Sequence, residues 1–528
     1  MKHFRTLLIA LACLIAAGPL FAGGSQQGAA QAGGPVKLTA IAVTHQLTND
    51  ITTFKWLKEL QQKANVSVEW QQISADWGDK KAALFASGDI PDMIFGGAGG
   101  TDFSVYNGLF ADLVPLIESS GPNIKKMFAE KPAVRVLVTQ LDGKIYSLPK
   151  YNKIVNSVAS LMFINKTWLD RLGLQVPSTW DELKAVLIAF RDNDANGNGD
   201  KTDEIPMDFN QLGGIFTPHY LMGSLGLPIS NYGQSGYFAE DGKVKNWFFD
   251  DRFKTLMLFL RDLYAQGLIN KEVVTQDYSQ YQSLGRNDNK YAKVGVTFGW
   301  DRSDRFGDAL GPEYITVPPL KYRADSTGRV FYSNDTYIEG ANGDNWSLSA
   351  RSSNKEAAVR FVDQFMDPVV SAQAWLGGIS DNCLKDNGDG SYAFIMPSDP
   401  QMSPAIWAWT NSFRYAPYYI ADYLKLEPEP SYAEAAIMRE PYLEQLGYYN
   451  NSNIYPESFM KYSAADNQTL ALNETNIGSV KERWAAWLVG QGDIEAEWKS
   501  YVQSAIDAGL NKNLEIRQKA FDAYLKAL

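Results

Sequence analysis

Cysteine and histidine are nearly absent from this chain of 528 residues, which contains two of the first and three of the second. Cys13 lies in an N-terminal segment that we expect to be removed, so Cys383 has no partner and no intrachain disulfide is expected. A histidine-based zinc site or a Ser-His-Asp triad would have to draw on His45 and His219. We expect both histidines to be structural residues.

Basic residues are also in deficit. Lys and Arg number 49 against 60 Asp and Glu, a net charge of −11, which argues against nucleic acid because phosphates require clustered positive charge. No internal repeat of roughly 20 to 50 residues is visible, which excludes solenoids and propellers. Beyond the amino terminus, no segment approaches the ~20 consecutive apolar residues that a membrane-spanning helix needs.

The amino terminus is typical of an exported protein. Residues 1–22, MKHFRTLLIALACLIAAGPLFA, combine a basic start, an apolar stretch and small residues, which predicts a signal peptide cleaved after Ala22. Acylation of Cys13 is the alternative, but cleavage there would leave the apolar LIAAGPLFA on the mature protein. Residues 23–35 are rich in Gly, Ala and Gln, which predicts a flexible tether. We therefore expect a periplasmic or other cell-envelope location.

Hydrophobic patterning predicts an α/β fold with more than one core. Strand-like and helical stretches alternate in the order VKLTAIAV, DITTFKWLKELQQKA, VSVEWQQI, GDKKAALFASG and PDMIF. This βαβαβ order favours a mostly parallel sheet. The second half of the chain is richer in amphipathic helices, which we expect to form the outer layers of a second lobe.

Six segments of the chain stand out together: ALFASGDIPDMIF, GLFADLVPLIE, LDGKIYSLPKYN, LMFINKTWLDRLGLQVPSTWDELKAVLIAF, AKVGVTFGW and NKEAAVRFVDQFM. In sequence and in order they resemble the family 1 extracellular solute-binding proteins of bacterial ABC importers. The likeness extends over residues 36–528. It is greatest to the large subgroup that includes alginate-binding periplasmic proteins and many oligosaccharide-binding lipoproteins.

The resemblance implies a type II periplasmic-binding-protein-like fold, in which two hinged lobes enclose a central cleft. Lobe 1 is expected to combine residues 36–150 with 300–345, and lobe 2 to combine residues 151–299 with 346–528. The resemblance also implies a membrane permease as partner. We expect a monomer, the natural default for a protein that must dock on a permease.

Ligand contacts are expected where strands end, because ligands of parallel α/β sheets bind outside the carboxyl ends of the strands. Thr101 and Asp102 follow the strand in PDMIF, and maltodextrin-binding relatives carry a ligand-contacting Asp in the matching loop. Alternatively, Asp102 caps the next helix. Trp300 ends a β-rich run, where the family often presents a Trp that stacks on a sugar ring. The alternative for Trp300 is burial between the lobes.

Further candidates come from the hinges and from an aromatic-rich stretch. Hinge crossovers are expected near residues 148–152 and 335–350, which places Tyr151 and Asn152 beside the cleft. The segment AIWAWTNSFRYAPYYIADY suits either a carbohydrate cleft or a helix packed on a core. The full set of expected ligand-binding residues is Trp77, Thr101, Asp102, Tyr151, Asn152, Trp300, Asp301, Trp407, Trp409, Arg414 and Tyr418.

Residues 192–206, DNDANGNGDKTDEIP, have the oxygen-bearing side chains and glycines of a calcium-binding loop. Two registers fit, one beginning at Asp192 and one at Asp194. The second resembles the calcium loop of alginate-binding relatives, although its final acids lie one residue further on. Neither register has the closing Glu of a standard EF-hand. The expected metal ligands are Asp194, Asn196, Asn198, Asp200, Asp203 and Glu204.

A bound calcium ion is expected to be structural, since no nucleophile or base lies beside this loop. The alternative is a solvated acidic turn without a metal. That alternative is disfavoured because crowded carboxylates repel one another unless a positive charge compensates them.

Together, these observations predict a substrate-binding protein that captures an oligosaccharide between two lobes and presents it to an ABC permease. The acidic chain favours a neutral sugar, although Arg302, Arg305 and Arg414 near the cleft would favour an anionic one. One alternative is a secreted, calcium-dependent lyase or glycosidase, but no pair of carboxylates is singled out by its sequence context. Another is binding of a peptide or other polar solute on the same fold.

Overall fold

The computed structural model describes residues 34–154, 158, 160–212, 214–229, 235–335, 341–399 and 402–528. The predicted signal peptide lies outside the described residues, and so does the predicted tether apart from its last two positions. Within the described part of the chain, no helix has both the length and the apolar surface needed to cross a membrane.

The described strands form two principal sheets and two small ones. Their bounds are β1 (Val36–Val43), β2 (Val66–Ile73), β3 (Met93–Phe95), β4 (Ser147–Asn152), β5 (Leu161–Asn165), β6 (Ile205–Met207), β7 (Tyr237–Glu240), β8 (Lys243–Asn246), β9 (Val294–Gly299), β10 (Tyr314–Thr316), β11 (Ala341–Leu348), β12 (Leu384–Asp386), β13 (Ser391–Phe394), β14 (Tyr418–Ile420) and β15 (Lys425–Glu427).

Helices connect and cover these strands. The α-helices are α1 (Lys55–Ala64), α2 (Trp77–Ser87), α3 (Gly100–Val105), α4 (Val114–Ser120), α5 (Pro122–Glu130), α6 (Pro132–Val138), α7 (Lys166–Leu172), α8 (Trp180–Asp192), α9 (Asp251–Ala265), α10 (Tyr278–Arg286), α11 (Arg302–Leu310), α12 (Lys355–Asp363), α13 (Pro368–Leu376), α14 (Pro404–Thr410), α15 (Pro430–Arg439), α16 (Leu443–Leu446), α17 (Ala464–Lys481), α18 (Arg483–Leu488), α19 (Ile494–Asp507) and α20 (Leu510–Ala527). Short 3₁₀ turns occupy Ile51–Thr53, Pro218–Leu225, Trp247–Phe249, Gly311–Glu313, Gln364–Met366, Glu440–Tyr442 and Glu457–Phe459.

The first principal sheet has the strand order β14-β4-β11-β3-β1-β2. β1 pairs in parallel with β2 along its whole length, from Val36 opposite Val66 to Val43 opposite Ile73, and it pairs in parallel with β3 on its other side. This arrangement confirms the predicted parallel βαβαβ unit, with α1 and α2 as its crossover helices. β14 runs parallel to β4, whereas β11 is antiparallel to both of its neighbours, β3 and β4.

The second principal sheet has the order β10-β5-β9-β6, with β9 antiparallel to β5 and parallel to β6. Every residue of β5 and β9 is buried, as expected for strands whose sequences are almost wholly apolar. Beside this sheet, α8 begins where the Thr179 hydroxyl accepts the backbone N–H of Glu182 at 3.1 Å.

Sheet pairing divides the chain differently from the predicted lobes. β10 pairs with β5, so the residues around 314–316 belong with the second sheet and not with lobe 1. β11 and β14 pair within the first sheet, although the prediction assigned residues from 346 onward to lobe 2. The reason is that local patterning identifies a strand but does not say which of two sheets the strand joins.

Each principal sheet has its own apolar core. The second core contains Trp168, Trp180 and Trp487, each at most 2 % exposed. His219 is also fully buried and stacks on Trp247 with 5.2 Å between ring centroids, and its burial lowers its pKa to about 3. His219 therefore has the structural role that the sequence predicts.

The carboxyl-terminal helices α17–α20 were expected to belong to the second lobe, but they are not confined to it. Ile477, Leu510 and Phe521 belong to the first core, whereas Trp484 and Trp498 belong to the second. The amphipathic helices therefore form a layer that contacts both cores.

A fully buried ion pair lies within the second core. Arg305 of α11 donates to Asp208 Oδ2 at 3.0 Å, and neither side chain is exposed. The guanidinium carbon of Arg305 also lies 3.7 Å from the ring centroid of Tyr281. A Cβ on Gly285 would lie only 1.9 Å from Nη1 of Arg305, so this close approach requires glycine. Arg305 is therefore a core residue, in contrast to its expected place near the cleft.

We expect Asp208→Asn to lower the free energy of unfolding by about 3–5 kcal/mol, because Arg305 is left buried without its counter-ion. Denaturant unfolding followed by tryptophan fluorescence measures the change. Asp262→Asn is the matched control, since it removes a partly exposed pair with Lys184 and should cost less than about 1 kcal/mol. Equal losses of unfolding free energy in the two variants would contradict the assignment of Arg305 and Asp208 as a buried ion pair.

Candidate functional site

Strand ends converge at one edge of each principal sheet. In the first sheet, β1, β2, β3, β4 and β14 all end at the same edge, and β11 begins there because it runs in the opposite direction. In the second sheet, β6 and β9 end at the edge where β5 begins. Ligands of α/β proteins bind at such edges, and most of the predicted site residues lie at them.

A glycine-rich loop at the end of β3 brings two aromatic side chains to this edge. The Trp77 indole donates to the Gly97 carbonyl at 2.8 Å, and a Cβ on Gly97 would lie 2.8 Å from the Trp77 ring. Gly96 has a φ of +67°, and a Cβ there would lie 2.8 Å from the Cβ of Tyr415. Larger residues would displace Trp77 and Tyr415 from the strand end.

Asp102 caps helix α3 and forms a salt bridge. Its Oδ2 accepts the backbone N–H of Gly99 at 2.8 Å and the Lys81 ammonium at 2.9 Å. The capping role that the sequence leaves as an alternative is therefore present in the structure. Thr101, beside it, is exposed.

The end of β1 has a stacked cationic and aromatic cluster. The His45 ring lies 4.7 Å from Trp409 between centroids, and the guanidinium carbon of Arg414 lies 4.3 Å from the Trp409 centroid. Burial and the charge of Arg414 lower the pKa of His45, so its imidazole is neutral at pH 7. Its Nδ1 accepts the Leu47 N–H at 3.2 Å, which leaves the ring hydrogen on Nε2. Trp407, on the same helix as Trp409, is half-buried, and its indole N–H has no hydrogen-bond partner in the part of the chain that the structure describes.

At the end of β9, Trp300 packs on the second core with part of its surface exposed. Its carbonyl accepts a hydrogen bond from Arg439 Nη2 at 2.9 Å. The next residue, Asp301, caps α11 by accepting the Asp304 N–H at 2.7 Å, and burial raises the pKa of Asp301. The Trp300 side chain is thus partly buried against the second core and partly exposed to solvent.

Helix α15 connects the edges of the two sheets. Near its start, the Tyr432 ring lies 5.0 Å from Trp375 of the first core, and Arg414 interacts with the Tyr432 hydroxyl. At its end, Arg439 donates to the Val158 carbonyl at 2.7 Å, at the approach to β5. A ten-residue helix is about 15 Å long, so the Trp409 and Trp300 clusters lie toward opposite ends of this span.

Tyr151 and Asn152 are the last residues of β4, where the chain leaves the first sheet. The Lys131 ammonium lies 4.8 Å from the Tyr151 ring centroid and 2.6 Å from Asp422 Oδ2. Asn152 is 2 % exposed, and its side-chain N–H group has no hydrogen-bond partner among the described residues. Tyr418 does not fit the predicted ligand-binding role, because α13 packs on β14 and leaves Tyr418 only 3 % exposed in the first core.

Sequence reasoning missed five residues at these edges: His45, Lys81, Asp344, Arg439 and Lys461. His45 was expected to be only structural, although its place two residues after a predicted strand was a signal. Asp344 lies within the expected second hinge region. Nothing in the local sequence marks Arg439 or Lys461, because segments distant in sequence hold them at the edge.

Residues 194–204 form a closed polar loop. The Asp194 carboxylate accepts the backbone N–H groups of Gly197, Asn198 and Gly199 at 2.7, 3.1 and 2.9 Å. Gly197 and Gly199 have φ values of +74° and +93°, which other residues avoid. Asp203 accepts hydrogen bonds from the side-chain amides of Asn196 and Asn198, both at 3.0 Å.

The flanking acids distinguish the two loop registers. Asp192 points away from the loop, because both of its oxygens accept hydrogen bonds from Arg191, at 2.7 and 3.1 Å. The register that begins at Asp194 therefore matches the geometry better. Asp200 uses its carboxylate to accept the Thr202 N–H at 2.9 Å. One Glu204 oxygen is buried without a partner, and burial raises the pKa of Glu204.

The loop has the oxygen-bearing side chains of a hard-cation site, but in this conformation their oxygen atoms do not all point toward a common centre. Among the described residues, no three Asp, Glu, His or Cys side chains form a metal-binding group. In the loop, the amide nitrogens of Asn196 and Asn198 face Asp203, where oxygens would be needed. The Oδ1 atoms of Asn196 and Asn198 accept the backbone N–H groups of Asn198 and Asp200, at 2.9 and 2.7 Å, so presenting these oxygens to calcium requires the loop to rearrange.

This fold and this site define a class of protein. Two α/β sheets, joined by several crossings of the chain, present aromatic and polar side chains at their strand ends, as in two-lobed binding proteins that close on a small ligand. The family model for bacterial extracellular solute-binding proteins matches residues 48–368, and the chain belongs to this family.

Three similar proteins carry more specific descriptions. FusA, a fructooligosaccharide ABC transporter substrate-binding protein of Streptococcus pneumoniae, is 29% identical over 498 residues, which cover 89% of this chain and 86% of FusA. A solved human-milk-oligosaccharide (HMO)-binding solute-binding protein from Bifidobacterium longum infantis is 30% identical with a TM-score of 0.86, covering 93% of this chain and 99% of that one. FusA has also been solved as an EF-hand mutant with fructo-nystose, at a TM-score of 0.78 and 28% identity, covering 93% of this chain and all of that one. The alginate-binding protein AlgQ2, solved without calcium, is 19% identical over 93% of this chain and 98% of AlgQ2 with a TM-score of 0.67, a likeness of fold alone.

Proposed function

We propose that this protein captures an oligosaccharide between the strand edges of its two sheets and delivers it to an ABC permease. The observation that carries the proposal is the placement of Trp77, Trp409 and Trp300, all partly exposed, at strand ends of the two sheets. A partly exposed indole offers a flat apolar face that packs on the C–H face of a sugar ring. The carbohydrate ligands named for FusA and for the Bifidobacterium protein support the same class of ligand.

Capture proceeds by closure of the two lobes about their crossing segments. The chain crosses between β4 and β5, between β10 and β11, and again between β14 and α15. The Lys153 ammonium donates to the Asp422 carbonyl at 3.0 Å, which ties the first crossing to the third. A ligand that contacts both strand edges at once stabilises the closed arrangement through contacts that the open one lacks.

The proposed setting is the cell envelope, with the protein exported to the periplasm or outer surface and acting as a monomer. The proposed role is binding without catalysis. Two carboxylates near the expected cleft support this role, because Asp102 is paired with Lys81 and Asp301 is engaged in capping α11. Assay of new reducing ends after incubation with polysaccharides tests it, and turnover would overturn it.

The proposed cofactor is a structural calcium ion in the loop 194–204. Asp194, Asn196 and Asn198 would hold it from one side, with the Asp200 carbonyl. Asp203 and Glu204 would close the other side. The unpartnered, buried oxygen of Glu204 supports this proposal. The ion would neutralise carboxylates that otherwise repel one another.

A thermal-shift screen of the exported chain tests the proposed ligand class. Neutral fructooligosaccharides, neutral milk oligosaccharides, oligogalacturonates and short peptides are compared. A ligand at a hundredfold excess over its Kd adds ~2.7 kcal/mol to the stability of the folded state, so the matching class raises the unfolding temperature. A response to peptides alone would overturn the carbohydrate proposal.

We expect Trp300→Ala to weaken oligosaccharide binding by at least about tenfold, because it removes an aromatic face at the cleft. Its unfolding temperature should change little, since the Trp300 carbonyl that binds Arg439 is retained. Titration calorimetry measures the affinity. Leu258→Ala removes a 37 % exposed apolar side chain from the middle of α9 in the second lobe and should leave the affinity unchanged. Unchanged affinity in Trp300→Ala would remove this residue from the site.

Calcium should raise the unfolding temperature of the chelator-treated protein, and Glu204→Gln should reduce that rise, because it removes a carboxylate ligand. Asp192→Asn is the matched control, since Asp192 pairs with Arg191 outside the loop. A calcium response that Asp192→Asn abolishes and Glu204→Gln retains would favour the other register. The absence of any calcium response would overturn the metal site.

A further inference from the structure

Four charged side chains meet at the end of β3, and three of them were not expected there. Lys81 of α2 and Asp102 of α3 form a salt bridge at 2.9 Å. Asp344 of β11 faces the same loop, since a Cβ on Gly99 would lie 3.1 Å from its Oδ2. Lys461 precedes α17, which packs on α3 beside this loop, and the charge of Lys461 acts on Asp344. These groups come from widely separated parts of the chain.

Asp344 and Lys461 attract each other without touching. The described ion pairs within 4.0 Å include Lys81 with Asp102 but no pair between Asp344 and Lys461. Asp344 is exposed and Lys461 half-exposed, yet protein surrounds both. Burial raises the pKa of Asp344 to about 6 and lowers the pKa of Lys461. Both charges are therefore crowded by protein and still accessible to solvent.

The two charges are held apart by their anchors. Asp344 lies in the irregular part of β11, between Asn342 and Trp346, where the pairing with β4 shifts register, and its backbone N–H donates to Asn342 Oδ1 at 2.9 Å. Lys461 follows Phe459 and Met460, which are 3 % and 6 % exposed in the first core. Direct contact would offset part of the desolvation cost of both charges, so their separation leaves hydrogen-bonding capacity for another molecule.

We propose that Asp344 and Lys461 form a polar subsite that binds hydroxyl groups of a neutral sugar. This inference rests on the proposed function and specifies its ligand class. A hydroxyl can donate to the Asp344 carboxylate and accept from the Lys461 ammonium at the same time, which suits a carboxylate and an ammonium held apart.

The charge balance of the cluster selects neutral sugars over uronates. Lys81 and Lys461 carry two positive charges, and Asp102 and Asp344 carry two negative ones. Lys81 is already paired with Asp102, so an incoming carboxylate would meet one available ammonium beside two carboxylates. Asp102 and Lys81 act as positioning residues that keep the loop at Gly99 against Asp344.

Two variants test the subsite, with the tightest neutral binder from a set of kestose, fructo-nystose and neutral milk tetrasaccharides as the probe. Asp344→Asn and Lys461→Met should each weaken binding by at least about tenfold. The loss of affinity in the double variant should be smaller than the product of the two single-variant losses, because both groups bind the same hydroxyl. Asp325→Asn and Lys499→Met, both at exposed positions, are the matched controls and should bind as the unaltered chain does.

The unaltered protein provides a test that does not depend on a variant folding. The binding form of Asp344 is the carboxylate, which is fully present above neutral pH and is lost as the pH falls through about 6. Affinity should therefore drop about tenfold between pH 7.5 and pH 5, and Asp344→Asn should abolish this dependence. The charged groups that face Asp344 are Lys461, Lys81 and Asp102. Protonation of the lysines increases as the pH falls and does not cause this loss.

The outcomes separate the subsite from the proposed function. Unchanged affinity in both variants and at both pH values, while Trp300→Ala still weakens binding, would overturn the subsite and leave oligosaccharide capture in place. Tighter binding of trigalacturonate than of any neutral sugar would overturn the neutral ligand class. If no oligosaccharide binds the unaltered chain, the proposed function and the subsite are both overturned.

Discussion

Strand β11 sits between β3 and β4, and the architecture of the site depends on that position. The chain completes the first four strands of the first sheet, builds the second sheet, and only then returns to insert β11 antiparallel to its neighbours. The first sheet is incomplete until this distant segment pairs with β3 and β4. The two lobes therefore fold as interdependent units and not as consecutive domains. Because β11 runs against the other strands, its amino end lies among their carboxyl ends. That reversal places Asp344 where ligands of α/β sheets bind.

Arginine side chains join segments of the chain that are not linked by the backbone hydrogen bonds of a helix or a sheet. Arg439 donates to the carbonyls of Val158, Trp300 and Ala435, which connects α15 to the approach to β5 and to the end of β9. Arg305 connects α11 to Asp208 after β6 in the same lobe. In the carboxyl-terminal layer, Arg517 pairs with Glu457 at 2.8 Å and lies over the Tyr237 ring. A planar guanidinium satisfies several carbonyls or carboxylates at fixed angles, which suits it to crossing segments of irregular backbone.

The sequence predicts those parts of the structure that are determined locally. The parallel unit β1 to β3 follows from hydrophobic period and turn residues, and the polar loop from alternating oxygen-bearing side chains and two glycines at positive φ. Sheet membership of β10 and β11 could not be predicted, because their patterning is equally compatible with either sheet. Tyr418 shows the same limit: an aromatic-rich stretch suits a cleft or a core, and packing of α13 on β14 decides for the core. Lys461 has no local signal at all, since burial of the two residues before it fixes its position.

The polar loop is built mainly by contacts between residues close in sequence, whereas the cleft is built by contacts between residues far apart. Substitutions therefore affect the two sites differently. All the contacts within the loop join residues at most eight positions apart, so its geometry can persist while the lobes around it diverge. The strand-edge groups come from segments hundreds of residues apart. Thr48 and Trp409, for example, are joined across 361 positions. A substitution in any one segment changes the spacing of charges and indoles contributed by the others. Ligand specificity is therefore the property that small changes alter most readily in this fold, whereas the loop depends on its own short stretch of chain and on Arg171 of α7, which donates to the Ala195 carbonyl.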